Sequence, residues 1–63
     1  MELNELIDCP PEAHLYEFIV AYKRDESLAF HSYFDDGYRA FATAASLTNG
    51  VVLHNVRISG RVR

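Results

Sequence analysis

Nowhere after Asp36 does this chain carry an acidic residue, and nowhere does it carry a tryptophan, a second cysteine or a long apolar run. Each absence removes a class of protein. Because Cys9 is alone, a disulfide within the chain is excluded. The residue reads as a reduced cytosolic thiol, with an intermolecular bridge as the lesser alternative. His14, His31 and His54 add further metal-ligand types. No pair among them has the C-x-x-C or H-x-x-x-H spacing of a structural zinc site, so no metal or other cofactor is expected. No apolar stretch approaches the roughly 18 residues of a membrane span, and an acidic N-terminus has the wrong sign for a signal or transit peptide. The expected location is cytoplasmic.

What is present is a divided charge. The first 36 residues set nine acidic groups, from Glu2 to Asp36, against Lys23 and Arg24, a formal charge of −7. From Gly37 onward Arg39, Arg57, Arg61 and Arg63 contribute +4, which accounts for the net −3. A domain this small is nearly all surface, so the split is expected to persist in the fold. Such fields steer and select macromolecular partners more than they hold a fold together. A chain of about 60 residues buries only about 60% of its unfolded surface and sits at the margin of independent stability. Without disulfide or metal it depends on packing or assembly. Eight aromatic residues (four Tyr, four Phe) exceed what one small core encloses, so some are expected at the surface as a contact patch.

Periodicity predicts an α+β domain in the order β-β-α-β: a three-stranded, mostly antiparallel sheet with one helix packed on one face. A short N-terminal helix or arm occupies residues 1–13, the core 14–59 and a basic tail 60–63. Leu3, Leu6 and Ile7 suit one or two helical turns, ended by Cys9-Pro10-Pro11. Residues 15–24 alternate with period two, Tyr16, Phe18, Val20 and Tyr22 pointing one way. The following Lys23-Arg24-Asp25-Glu26-Ser27 lacks glycine and predicts a hairpin loop of four or five residues on a type I turn. In the second strand, over 28–34, Leu28, Phe30 and Phe34 share one face and Ala29, His31 and Tyr33 the other.

Asp35 and Asp36 offer caps for a helix over 36–48. Its sheet-facing stripe is expected to be Tyr38, Phe41, Ala42 and Ala45, widened by Ala40, Ala44 and Leu47. Asn49-Gly50 supplies the left-handed ending. A third strand over 51–58 follows, its pairing direction open. The expected core is Phe18, Val20, Phe30, Phe41, Ala45 and Val56, with Phe41→Ala costing about 3–5 kcal/mol. One helix leaves the second sheet face and an edge open, the face lined by Leu15, Ile19, Ala21, Ala29, His31 and Tyr33.

Catalysis needs a nucleophile or acid–base pair converging in a cleft, and none is legible. Cys9 and His14 flank two prolines, adjacent Asp35 and Asp36 read as caps, and there is no phosphate-binding glycine loop. An enzyme is not expected. Nucleic-acid binding through Arg57, Arg61 and Arg63, with tyrosines stacking bases, is opposed by the acidity of the first 36 residues. Protein binding remains, through a host protein or a second copy. The residues assigned to it are Glu17, Asp25, Glu26, Tyr33, Arg57, Arg61 and Arg63, with charge setting the association rate and Tyr33 at the centre. A homodimeric structural or regulatory module is the alternative.

The run over 34–57, Phe-Asp-Asp-Gly-Tyr-Arg-Ala-Phe-Ala-Thr-Ala-Ala-Ser-Leu-Thr-Asn-Gly-Val-Val-Leu-His-Asn-Val-Arg, resembles small early proteins of tailed phages. In those a hairpin precedes an alanine-rich helix, a glycine turn and a strand ending in Val-Arg. The outline is that of the phage inhibitor of host RNA polymerase and of several anti-CRISPR proteins. The resemblance implies a small protein that occupies a surface of a host machine. Here the helix has no acidic residue, so no functional position carries over.

Overall fold

The structure, a computed structural model, describes residues 5–55. Leu3, Val56, Arg57, Ile58, Arg61 and Arg63, assigned above to arm, core, strand or surface, lie outside the described residues. Three strands, β1 (Phe18–Arg24), β2 (Ser27–Phe34) and β3 (Gly50–His54), form one antiparallel sheet in the order β2-β1-β3. Among the described residues one α-helix, α1 (Gly37–Ala45), packs on one face. The α+β architecture expected from periodicity is the one found. The open question of the third strand resolves as antiparallel to β1, on the side away from β2.

Central position dictates the character of β1. Ile19, Val20 and Ala21 are consecutive and each is 0% exposed. Since side chains alternate across a strand, both sheet faces must be covered. On one side Val20 meets Ala40 and Ala44 of α1, with Phe18, Phe34, Leu47 and Val52 around them. On the other, Ile19, Ala21 and Leu28 pack with Leu6 and Ala13, bordered by Cys9, Tyr16, Phe30, Tyr33, Val51 and Leu53. The second face is therefore not open, as sequence reasoning had it. The N-terminal segment covers it.

That segment is not a helix followed directly by a strand. Ile7 forms a parallel bridge to Ala29, donating its N–H to the Leu28 carbonyl at 2.9 Å and accepting from the Phe30 N–H at 3.0 Å. Pro11–Leu15 then forms a 3-10 turn, so strand geometry begins at Phe18 rather than at residue 15. Leu15, placed above on a sheet face, is 68% exposed. Asn55, buried at the end of β3, ties this turn down. Its Nδ2 donates to the carbonyls of His14 and Tyr16 at 3.1 Å each, and its backbone N–H donates to Glu17 O at 2.7 Å.

Two details of the hairpin depart from expectation. Arg24 pairs with Ser27, leaving a two-residue turn of Asp25 and Glu26 instead of a longer loop. Asp25 takes φ 57°, which aspartate tolerates better than most residues, so the tight turn forms without glycine. The partner of Val20 is Ser32 but that of Ala21 is Phe30, so His31 is the extra residue of a β-bulge. The bulge shifts parity. Tyr33 joins Leu28 and Phe30 on the N-terminal segment's face, and Phe34 goes to the helix face.

The helix is also turned relative to expectation. Ala40 and Ala44 are buried, whereas Tyr38 is 85% and Phe41 63% exposed, with Ala42 and Ala45 also exposed. Short connections hold α1 close to the sheet. A Cβ on Gly50 would lie 2.3 Å from the Ala44 carbonyl oxygen, and one on Gly37 would lie 3.0 Å from Phe18 Cζ. Only a small-residue face fits that gap, so the rings are turned outward. Helix geometry spans Gly37–Ala45 instead of 36–48, capped by Asp36, whose Oδ1 accepts from the Tyr38 N–H at 3.0 Å, and Asn49 reverses the chain at φ 62°.

Two stability outcomes follow. Phe41→Ala should change unfolding free energy by no more than about 0.5 kcal/mol, as for other exposed positions, while Ile19→Ala should cost about 2–5 kcal/mol. Urea unfolding of both variants checks this, and a Phe41→Ala loss matching that of Ile19→Ala would contradict the helix orientation. Asn55→Ala strands two carbonyls and should cost about 2 kcal/mol, lowering Tm by roughly 10 °C in so small a domain. A calorimetric Tm unchanged by Asn55→Ala would remove it as the clamp of the N-terminal segment.

Candidate interaction surface

Turning the small face of α1 inward leaves Tyr38, Phe41, Ala42 and Ala45 as an uncharged stripe at i, i+3, i+4, i+7 on the outer side. An exposed pair of rings on one helix is unusual in a domain whose largest fully buried side chains are only Ile19 and Val20. Tyr38 and Phe41 are exposed, whereas Tyr16, Phe18, Phe30, Tyr33 and Phe34 are half-buried against the two cores.

Beside the helix lies a sheet edge. The outer edge of β2 is partly occupied by Ile7. At β3 two hydrogen bonds fix the phase of the ladder: Lys23 N–H donates to Asn49 O at 3.1 Å, and Asn55 N–H to Glu17 O at 2.7 Å. Backbone groups alternate along a strand. Asn49, Val51, Leu53 and Asn55 therefore turn theirs toward β1, and Gly50, Val52 and His54 turn theirs outward. Among the described residues no strand pairs with that outer edge. The five residues Gly50–His54 include no proline, Asp, Glu, Lys or Arg, the devices that usually blunt an edge.

The described residues among those assigned to binding from the sequence, Glu17, Asp25, Glu26 and Tyr33, are not gathered in one place. Asp25 and Glu26 are exposed at the hairpin tip. Glu17 precedes β1 at its opposite end and shares a 3.0 Å hydrogen bond with His54 Nε2, whose ring stacks on Phe18 at 5.1 Å. Tyr33 is half-buried, stacked on Tyr16 with centroids 4.2 Å apart and tilted against Phe30 at 5.9 Å. It belongs to the core beneath the N-terminal segment. Sequence reasoning expected an open edge without placing it at β3, and missed the helix stripe, although Gly37, Ala40 and Ala44 already offered a small-residue face at helical spacing.

Chemistry is sparse. Cys9 is half-buried, and burial pushes its thiol above the ordinary range, which lowers the thiolate fraction and with it reactivity. Its Sγ lies 3.7 Å from the Pro10 carbonyl oxygen, and His14 is exposed. Among the described residues no group of three His, Cys, Asp or Glu could hold a metal. A shallow depression of about 220 Å³ is lined by Glu5, Lys23, Glu26, Ser27 and Leu28, below the about 300–1,000 Å³ of small-molecule sites. No helix is long and apolar enough to cross a membrane among the described residues. Comparison with known protein families, curated proteins and solved structures returns no match.

The thiol gives a direct check. Cys9 should react with a neutral aromatic disulfide reagent at pH 8 several-fold more slowly than a peptide thiol, and at the peptide rate in denaturant. Equal rates in folded and unfolded protein would show that the second core does not shelter it.

Proposed function

We propose that this chain is a non-enzymatic protein-binding module that acts by association. The observation carrying this reading is the outward placement of Tyr38 and Phe41, 85% and 63% exposed, on an uncharged helix face. Aromatic residues dominate interface energetics because they add large, stiff contact area at small entropic cost. The acidic field of the first 36 residues, to which Asp25 and Glu26 contribute at the hairpin tip beside Lys23 and Arg24, draws a basic partner surface and sets the association rate. Resemblance of the 34–57 run to small phage proteins supports a setting in which the partner is a host machine whose surface the domain occupies and modulates.

Homodimerisation is the second reading, favoured by the outer edge of β3, with which no strand pairs among the described residues. Nucleic-acid binding is disfavoured by the acidity of the first 36 residues.

The test is capture and identification of a partner from a host lysate, followed by kinetics with purified protein. Phe41→Glu should lower affinity at least tenfold while leaving the circular dichroism spectrum unchanged. Reversing Asp25 and Glu26 to Lys should slow association several-fold and flatten its salt dependence, with dissociation little altered. A partner bound equally by wild type and Phe41→Glu would contradict the reading.

A further inference from the structure

We propose that the occupant of the β3 edge and the α1 stripe is a second copy of this chain, joined antiparallel through β3 about a two-fold axis at Val52. The proposal rests on the homodimer reading of the protein-binding function and specifies its contact.

The backbone phase carries the argument. Gly50, Val52 and His54 present their N–H and C=O groups outward, symmetrically about Val52. Antiparallel pairing of two such edges sets Val52 against Val52 of the second copy, and Gly50 against His54. In each of these pairs both residues exchange their N–H···O bonds. Every outward backbone group of β3 is thus satisfied by the same strand in a second molecule, which is the self-complementarity that a two-fold interface requires.

The helix fits the same operation. Strands β2 and β3 are both antiparallel to β1 and so parallel to each other, and α1 is the crossover between them. Such crossovers are right-handed, which turns the Phe41 and Ala45 flank of α1 toward β3. The helix sits mainly over β1 and β3. With strands about 4.8 Å apart, extending the sheet through β3 places the two helices about 10 Å apart, close to the 8–10 Å at which helices pack. The two Phe41 rings then meet above the paired Val52 side chains, closing the helix-side core across the axis.

Charge and area agree. Neither the stripe nor the strand contains an Asp, Glu, Lys or Arg residue, so like surfaces meet without repulsion at their centre. Tyr38 and Phe41 expose on the order of 300 Å² between them, about a third to a half of what each partner contributes to a standard interface of roughly 1,200–2,000 Å². The strand edge, Ala42 and Ala45 contribute further area. At the opposite edge of the sheet Ile7 occupies part of β2, so sheet extension is directed to β3.

Sedimentation equilibrium and amide hydrogen exchange, each over a micromolar concentration series, test this. The expected mass is twice 7.2 kDa. The Gly50, Val52 and His54 amides should gain protection with concentration, while Val51 and Leu53 stay protected throughout. Phe41→Glu, at an exposed site that cannot unfold the domain, should raise the dimer dissociation constant at least tenfold. Val52→Pro removes an outward N–H that β1 does not use and should give a folded monomer. A folded monomer at every concentration, with those three amides exchanging freely, would overturn the dimer, and a separate partner that still loses affinity for Phe41→Glu would keep the wider binding reading. A dimer that leaves those amides unprotected, or that Phe41→Glu does not weaken, would also overturn it, since the contact would then lie elsewhere.

Discussion

Burial of β1 on both faces is the constraint from which the rest of the domain follows. Ile19, Val20 and Ala21 are fully enclosed in sequence, and a three-stranded sheet with one helix can enclose only one side. The other side has to be closed by chain that precedes the sheet. Leu6 and Ala13 do so, and the backbone cost of bringing them there is offset by hydrogen bonds at Ile7 and at the buried Asn55. Each core is thin, built from one to three buried aliphatic groups and two alanines. Dividing a small apolar content between two layers lets a short chain protect all of its central strand.

Thin layers set the position of the helix. Gly50 lies against the Ala44 backbone, Gly37 against the Phe18 ring, and Ala40 and Ala44 face the sheet, and that closeness excludes the larger residues of α1 from the sheet. Outward display of Tyr38 and Phe41 is thus a consequence of packing. Apolar surface of that kind adds little to the isolated fold and becomes useful on association. The bulge at His31 serves the same layered plan. By shifting parity it lets Tyr33 and Phe30 thicken the second core while Phe34 thickens the first.

Element order and type were legible because each period is clean where it occurs. Alternation through Val20 and Tyr22 marked a strand, Asp36 marked a helix start, and Asn49-Gly50 marked its end. What escaped the sequence depends on distances between elements. Tyr38, Phe41 and Ala45 have the spacing of a buried stripe, and hydrophobicity alone ranks them above Ala40 and Ala44; only the close approach at Gly50 reverses the choice. A single inserted residue at His31 leaves no mark in composition. Asn55 looked like an ordinary strand residue, since its partners are carbonyls of residues 14 and 16, 41 and 39 positions away. The charged residues assigned to binding were found by composition, which locates a field but not a surface.

Which face of α1 meets the sheet decides both the core and the interaction surface, and a nuclear Overhauser experiment on methyl- and ring-labelled protein reads it directly. The structure requires contacts from the Ala40 and Ala44 methyls to Val20, together with contacts from Leu6 and Ala13 to Ile19, and none from the Phe41 ring to Val20. A Phe41-to-Val20 contact accompanied by solvent-exposed Ala40 and Ala44 would contradict the account.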